Sequence, residues 1–253
     1  MPDRRGNWSI ALVRHGATEW TATGQHTGAT DILLSDVGVK QAECLGRHFA
    51  RTFHGDLSRQ YAYAFVSPKH RAKQTCDIVL KLAGGGTLKV IEDRDLAEWN
   101  YGEYEGLTSA EIRKRDPAGE DWNVFTHGCP SGETAADVGK RVDKFLHRVK
   151  ELALSLDNPK NILVFSHGHV LRVLGARWIG LPPEHGRFLA YNTAAVSYLA
   201  FEHNNLKEPV LQASIPWTQK AICTVYNLLA FFTHLTLGME LGYPPRCGGL
   251  LAA

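Results

Sequence analysis

Two short apolar runs, each cut off by a polar segment carrying histidine, constrain this chain more than any other feature. Residues 9–13 stop at Arg14-His15-Gly16, and residues 161–165 stop at Ser166-His167-Gly168-His169. A continuous apolar run of this length suits a strand buried on both faces. Between the two runs the period changes to that of helices. The spacing predicts a helix over 36–53, with Val37, Cys44, Leu45, His48 and Phe49 on one side and Ser35 as N-cap. A strand at 63–66 is broken by Ser67-Pro68, a helix follows over 69–82, and Gly84-Gly85-Gly86 ends it. A strand is predicted at 88–92. Residues 93–129 read as irregular apart from a short helix over 109–115. The longest helical pattern, 134–156, places Val138, Val142, Phe145, Val149 and Leu152 at spacings of three and four. A helix over 170–179 and a strand over 195–201 complete the pattern. Strands alternating with helices predict an α/β fold with a largely parallel sheet. Ligands bind such sheets beyond the carboxyl ends of the strands, where both histidine segments fall.

Composition narrows the function classes. The chain has 253 residues, 44% apolar and 21% charged, as in ordinary globular proteins. Its net charge of +2 comes without a dense Lys/Arg run, so neither nucleic acid nor a membrane surface is an expected partner. Five scattered cysteines predict free thiols in a reducing compartment, and no signal-peptide pattern opens the chain; the expected location is cytoplasmic. Residues 1–216 show no linker or repeat and are expected to form one domain. Residues 217–253 form a C-terminal extension of unassigned role. Its apolar stretch is interrupted by Asn227, His234 and Glu240 with thin basic flanks. It reads as a helix packed on the domain or on a second subunit rather than as a membrane anchor, which leaves a homo-oligomer open.

Five positions from separate regions fit one reaction, the hydrolysis of a phosphate ester. Neutral His15 can attack phosphorus, and the phosphoramidate so formed stays labile to water. Arg14 and Arg71 offer forked donors matched to phosphate. His167, if protonated, adds a third positive group. Glu98 can protonate the leaving oxygen and then take a proton from water. Gly16 and Gly168 let backbone approach the anion. Singly, each has an ordinary explanation: a buried histidine on a carbonyl, a solvated arginine, a loop carboxylate. Metal ligation by His167 and His169 lacks further ligands nearby in sequence, and His15 has Arg14 beside it; no metal and no cofactor are expected.

Together these segments resemble the histidine phosphatase superfamily, also called phosphoglycerate mutase-like. The resemblance is carried by Leu12-Val13-Arg14-His15-Gly16-Ala17-Thr18-Glu19-Trp20, Ser67-Pro68-Lys69-His70-Arg71-Ala72-Lys73-Gln74-Thr75, Leu96-Ala97-Glu98-Trp99, Ser131-Gly132-Glu133-Thr134 and Ser166-His167-Gly168-His169-Val170-Leu171-Arg172. It spans roughly residues 9–212. It implies a three-layer α/β/α sandwich, a phosphate pocket of Arg14, Arg71 and His167, phosphorylation of His15, and Glu98 as proton donor. The runs Glu98-Trp99-Asn100-Tyr101-Gly102-Glu103-Tyr104-Glu105-Gly106 and Gly128-Cys129-Pro130-Ser131-Gly132-Glu133-Thr134 resemble the fungal sedoheptulose-1,7-bisphosphatase branch most. The run Gly24-Gln25-His26-Thr27-Gly28 resembles a substrate-contacting loop of that branch, where position 26 is usually aromatic; by that resemblance His26, Thr27, Tyr101 and Arg172 join Gly168 among the expected substrate-binding residues. Mutases commonly carry Asn where Thr21 and His169 stand, which leans this chain towards a phosphatase. The stretch Phe125-Thr126-His127-Gly128 lacks an arginine that the bisphosphatase branch tends to carry.

The expected partner is therefore a small phosphorylated metabolite, a sugar phosphate or sugar bisphosphate. Mutase-type phosphoryl transfer and a non-catalytic phospho-ligand binder are the alternatives. With His15 neutral and Glu98 protonated in the reactive form, activity is expected to be bell-shaped in pH, with a mildly acidic to neutral optimum. A rate rising steadily into alkaline pH would remove Glu98 from the role of acid.

Overall fold

Strand β1 (Ile10–Arg14) sits inside a six-stranded sheet whose order explains how distant segments meet. The computed structural model describes residues 6–156 and 160–214; the expected 217–253 extension lies outside the described residues. The other strands are β2 (Tyr61–Val66), β3 (Lys89–Glu92), β4 (Asn161–Ser166), β5 (Val196–Phe201) and β6 (Pro209–Ser214), in the order β3-β2-β4-β1-β5-β6. Pairs β3/β2, β2/β4 and β4/β1 are parallel, whereas β1/β5 and β5/β6 are antiparallel. Only β5 therefore runs against the rest. Arg14 lies opposite Ser166 at the end of the β1/β4 ladder.

The continuous apolar runs arise because both faces of the sheet are covered. Ile10, Leu12, Ile162 and Val164 point into one core, built with α6 (Ala135–Leu154) and α7 (Gly168–Trp178). Ala11, Val13, Leu163 and Phe165 point into the other, built with α2 (Asp36–Thr52) and α3 (His70–Ala83). Alternate residues of one strand thus serve opposite layers, which makes the expected three-layer α/β/α sandwich. Thr134 starts α6 with a capping box shared with Asp137, and Gly84 ends α3 in the left-handed conformation, φ 72°.

Several expectations need correction. Strand β6 and the short helices α1 (Glu19–Thr23) and α5 (Val124–His127) escaped the pattern reading, α4 (Ser109–Arg113) ends two residues before the expected 115, and α7 begins at Gly168, two residues earlier than expected. The inner face of α2 is the expected one only in part: Leu45 and Phe49 are buried, but Val37 and Cys44 are exposed, His48 is half-buried, and the other buried positions are Gly38, Ala42 and Gly46. Two of these are glycines because the helix packs at backbone distance. A Cβ on Gly38 would lie 2.0 Å from the Ala17 carbonyl oxygen, and one on Gly46 would lie 2.9 Å from Leu82 Cβ. Ala17 also donates its N–H to Gln41 Oε1 and accepts from Ser35, so the start of α2 braces the loop that follows His15.

Gly38→Ala is therefore expected to destabilise the protein by about 1–3 kcal/mol through overpacking, read as a lower urea midpoint. It should also lower activity, because the clash falls on the loop that follows His15.

Candidate active site

Parallel pairing delivers the ends of β1, β2 and β4 to one edge of the sheet, and His15, Ser67 and His167 each follow one of these strands. The first turn after β1 is tightly held. His15 N–H donates to Ser166 O at 2.9 Å, Gly16 N–H to Thr75 Oγ1 at 3.0 Å, and Ala194 N–H to both Arg14 O and His15 O at 3.1 Å. Ala194 adopts φ 56° to do so, a left-handed conformation that costs a non-glycine residue about 1 kcal/mol or more.

The His15 ring has one defined tautomer. Its Nδ1 lies 2.7 Å from Gly16 O, and a carbonyl can only accept, so Nδ1 carries the proton and Nε2 keeps its lone pair. Burial, then the charges of Arg14 and Arg71, hold the His15 pKa well below the usual histidine range. The imidazole is neutral at physiological pH.

His167 departs from expectation. Arg71 Nε–H donates to His167 Nδ1 at 3.2 Å, and since Nε is only a donor, Nδ1 is unprotonated. Nε2–H then donates to Ser67 Oγ at 2.6 Å. Burial, with Arg71, His15, Arg14 and Arg141 around it, pushes the His167 pKa well below its ordinary value. The expected third positive group is thus a neutral ring, packed edge-on to His15 at 5.1 Å between centroids. Charging it would place a third cation in a dry site and break the bond from Arg71.

Positive charge comes from the two guanidiniums. Arg71 is fully buried and braced by Thr30 O at 3.0 Å, Thr27 O at 2.9 Å and, more weakly, Gly28 O at 3.5 Å. Thr27, expected to bind substrate, holds Arg71 through its carbonyl, while its hydroxyl donates to Gln25 O. Arg14 donates Nη1 to Tyr191 O at 2.5 Å, and among the described residues nothing accepts from its buried Nε. That guanidinium lies over Gly168, where a Cβ would come within 3.3 Å of Arg14 Nε and Cζ. Burial lowers the pKa of both arginines and Glu98 opposes the shift; arginine remains a cation throughout.

Glu98 is buried against the start of α7. Its Oε1 accepts from Trp99 N–H and Val170 N–H, both at 3.0 Å, and Oε2 accepts from His169 N–H at 3.1 Å. Both acceptor directions of Oε1 are occupied and one of Oε2 is left, so Oε2 is the atom on which a transferable proton can sit.

Beside Glu98 stands a neutral polar wall that includes a residue the motif reading did not place in the site, His169. Tyr101 Oη and His169 Nδ1 share a 2.5 Å hydrogen bond, and His26 stacks on His169 at 5.8 Å and packs edge-on to Tyr101 at 4.8 Å. His26 Nδ1–H donates to Leu107 O, which leaves Nε2 as an acceptor. Burial lowers the pKa of both histidines and raises that of Tyr101, so all three are neutral. Arg172 is held by Gly186 O and Arg187 O, both at 2.9 Å, and lies over the Phe125 ring. The Tyr101 contact is the signal for His169: only the fold brings their rings together. Among the described residues no three His, Cys, Asp or Glu side chains converge as a metal site. No helix among them is long and apolar enough to cross a membrane.

Residues 10–212 match the model of the histidine phosphatase superfamily (branch 1). An acid phosphatase of Mycobacterium tuberculosis is 40% identical over 198 residues, 78% of this chain and 88% of that protein. A sedoheptulose 1,7-bisphosphatase of Saccharomyces cerevisiae is 39% identical over 181 residues, 67% of each chain. A solved open reading frame product of Mycobacterium tuberculosis, 37% identical, superposes with a TM-score of 0.67 and covers 83% of this chain and 96% of its own.

Three buried histidines (His15, His26, His167) and the half-buried His169 have lowered pKa values in the fold. Below about pH 6.5 the unfolded chain binds protons that the folded chain refuses, so stability is complete above that pH and falls as pH drops. Each such histidine adds a slope of up to about 1.4 kcal/mol per pH unit until its folded pKa is reached. Urea midpoints of the ligand-free protein should therefore decline between pH 7 and 5, and His26→Phe should reduce the decline.

Proposed function

Because the chain belongs to the histidine phosphatase superfamily, we propose that it hydrolyses a phosphate monoester, without metal, through a phosphohistidine on His15. The observation that carries this reading is the fixed tautomer of His15. Its Nε2 lone pair is available at neutral pH because Nδ1–H is tied to Gly16 O and two buried guanidiniums oppose protonation. In the first step Nε2 attacks phosphorus, the ester P–O bond breaks, and Glu98 Oε2 gives its proton to the departing oxygen. In the second step water attacks the phosphoramidate, Glu98 takes a proton from it, and the P–N bond breaks to restore neutral His15. Arg14 and Arg71 offset the charge on the phosphoryl oxygens, with the buried Arg14 Nε available to one of them. His167 contributes by orienting Arg71 and Ser67 while staying uncharged.

A sugar phosphate or bisphosphate such as sedoheptulose 1,7-bisphosphate is the proposed substrate class. Support comes from the likeness to the Saccharomyces cerevisiae enzyme and from the neutral wall of His26, Tyr101 and His169, whose donors and acceptors suit sugar hydroxyls. Thr27 and Gly168 are assigned indirect parts, the first by bracing Arg71 and the second by admitting Arg14. Arg172 is assigned to the substrate side of the wall.

The protein is expected to release phosphate from sedoheptulose 1,7-bisphosphate in EDTA, and rapid quenching should trap an acid-labile phosphoryl group. His15→Ala should reduce turnover by at least about 10³-fold; unchanged phosphate release by that variant would overturn the reading. Glu98→Gln should lose about 10²-fold or more on an alkyl phosphate.

A further inference from the structure

Glu98 sits in a segment with no sheet ladder to hold it; Ser166 Oγ–H donates to Leu96 O at 2.8 Å, and the carbonyls on either side of Leu96 are held by one side chain from α6. Arg141 donates Nη1 to Asp95 O at 2.8 Å and to Ala97 O at 2.6 Å, and Nη2 to Glu98 O at 3.3 Å. Its remaining donors form a two-point pair with Glu133, Nε to Oε1 at 2.8 Å and Nη2 to Oε2 at 3.1 Å. Those five hydrogen bonds account for the five N–H groups of a guanidinium. Glu133 continues the brace on the other side of Glu98. Its Oε2 accepts from Asn100 N–H at 2.8 Å, its carbonyl accepts from Trp99 Nε1–H at 2.8 Å, and its N–H donates to Asn100 O at 2.8 Å. Side-chain exposures of 15% for Arg141 and 22% for Glu133 set this pair apart from the exposed ion pairs of α6, such as Lys140 with Asp137 at 75% and 47%.

We infer that Arg141, locked by Glu133, is a positioning residue for proton transfer by Glu98. The carboxyl is aimed from two sides: three backbone N–H groups orient its oxygens, and Arg141, on Asp95 O, Ala97 O and Glu98 O, together with Ser166 Oγ on Leu96 O, sets where the main chain of residues 95–98 stands relative to α7. Neither Arg141 nor Glu133 touches the reacting atoms. Proton transfer needs heavy atoms within hydrogen-bond reach, so a small shift of this segment affects leaving-group departure more than phosphate binding. Lysine would keep the positive charge near His167 but has three donors on a single atom and cannot span three carbonyls and a carboxylate. The inference rests on the assignment of Glu98 as the acid.

The test compares kcat/KM, which reports the step in which the leaving group departs, for glycerol 3-phosphate and p-nitrophenyl phosphate. The first expels an alkoxide that needs a proton; the second expels a phenolate that does not. Arg141→Lys is expected to lose about 10²-fold on glycerol 3-phosphate and less than about threefold on p-nitrophenyl phosphate. Glu98→Gln should show the same selectivity, and the double variant should lose little beyond Glu98→Gln alone. Should Arg141→Lys not fold, Glu133→Gln, which keeps the shape of the brace, should give the same selectivity at about tenfold. Equal losses on both substrates, no loss on either, or additive losses in the double variant would overturn the role of Arg141 while leaving Glu98 as the acid. Absence of selectivity in Glu98→Gln would instead overturn both.

Discussion

The parallel pairing of β1 with β4, in the register that sets Arg14 opposite Ser166, is the constraint on which the site depends. Two segments about 150 residues apart leave the sheet side by side because of it, and the backbone bond from His15 to Ser166 ties them at the point of exit. Everything polar then gathers at a single edge. The strands are buried on both faces, so the functional side chains can project only from their carboxyl ends, where the ladder stops. Glu98 reaches that edge by a different route, on a segment braced by a guanidinium instead of by strand pairing.

Electrostatics at this edge follow from excluding water around two cations. Arg14 and Arg71 are stable there because carbonyl oxygens of residues 27, 28, 30 and 191 surround them and Glu98 lies near. In their field each neighbouring histidine is cheaper to keep neutral than to charge. His15 and His167 are both kept neutral for the same reason, although only His15 has a ring nitrogen lone pair left for the proposed attack on phosphorus. Tautomers complete the distinction: His15 donates its Nδ1–H to a carbonyl, whereas His167 Nδ1 accepts a hydrogen bond from the Arg71 Nε–H.

Much of the fold was legible in the chain. Runs ending at Val13 and Phe165 are buried strands because their residues serve both cores alternately, and the 134–156 pattern appears as Ala135–Leu154 with Val138, Val142, Phe145 and Val149 buried. Apolar periodicity failed where packing is by backbone. Gly38 and Gly46 bury one side of α2, and a scale that counts large apolar side chains places Val37 and Cys44 there instead. Strand β6, with polar Gln212 and Ser214 at a sheet edge, has little apolar alternation to reveal it.

Residue identities alone determined which groups this protein has for phosphate chemistry: a histidine after each of two buried strands, two arginines and a carboxylate in one chain order. The tertiary structure decided how each is used. It made His167 neutral rather than positive, left the Nε2 lone pair of His15 and one acceptor direction of Glu98 Oε2 unoccupied, and brought His169 against Tyr101. It also spent the donors of Arg141 on the backbone around Glu98. The physical reason is that motif spacing specifies covalent order. Protonation state, tautomer and aim depend on burial and on hydrogen-bond partners supplied by segments far away in sequence.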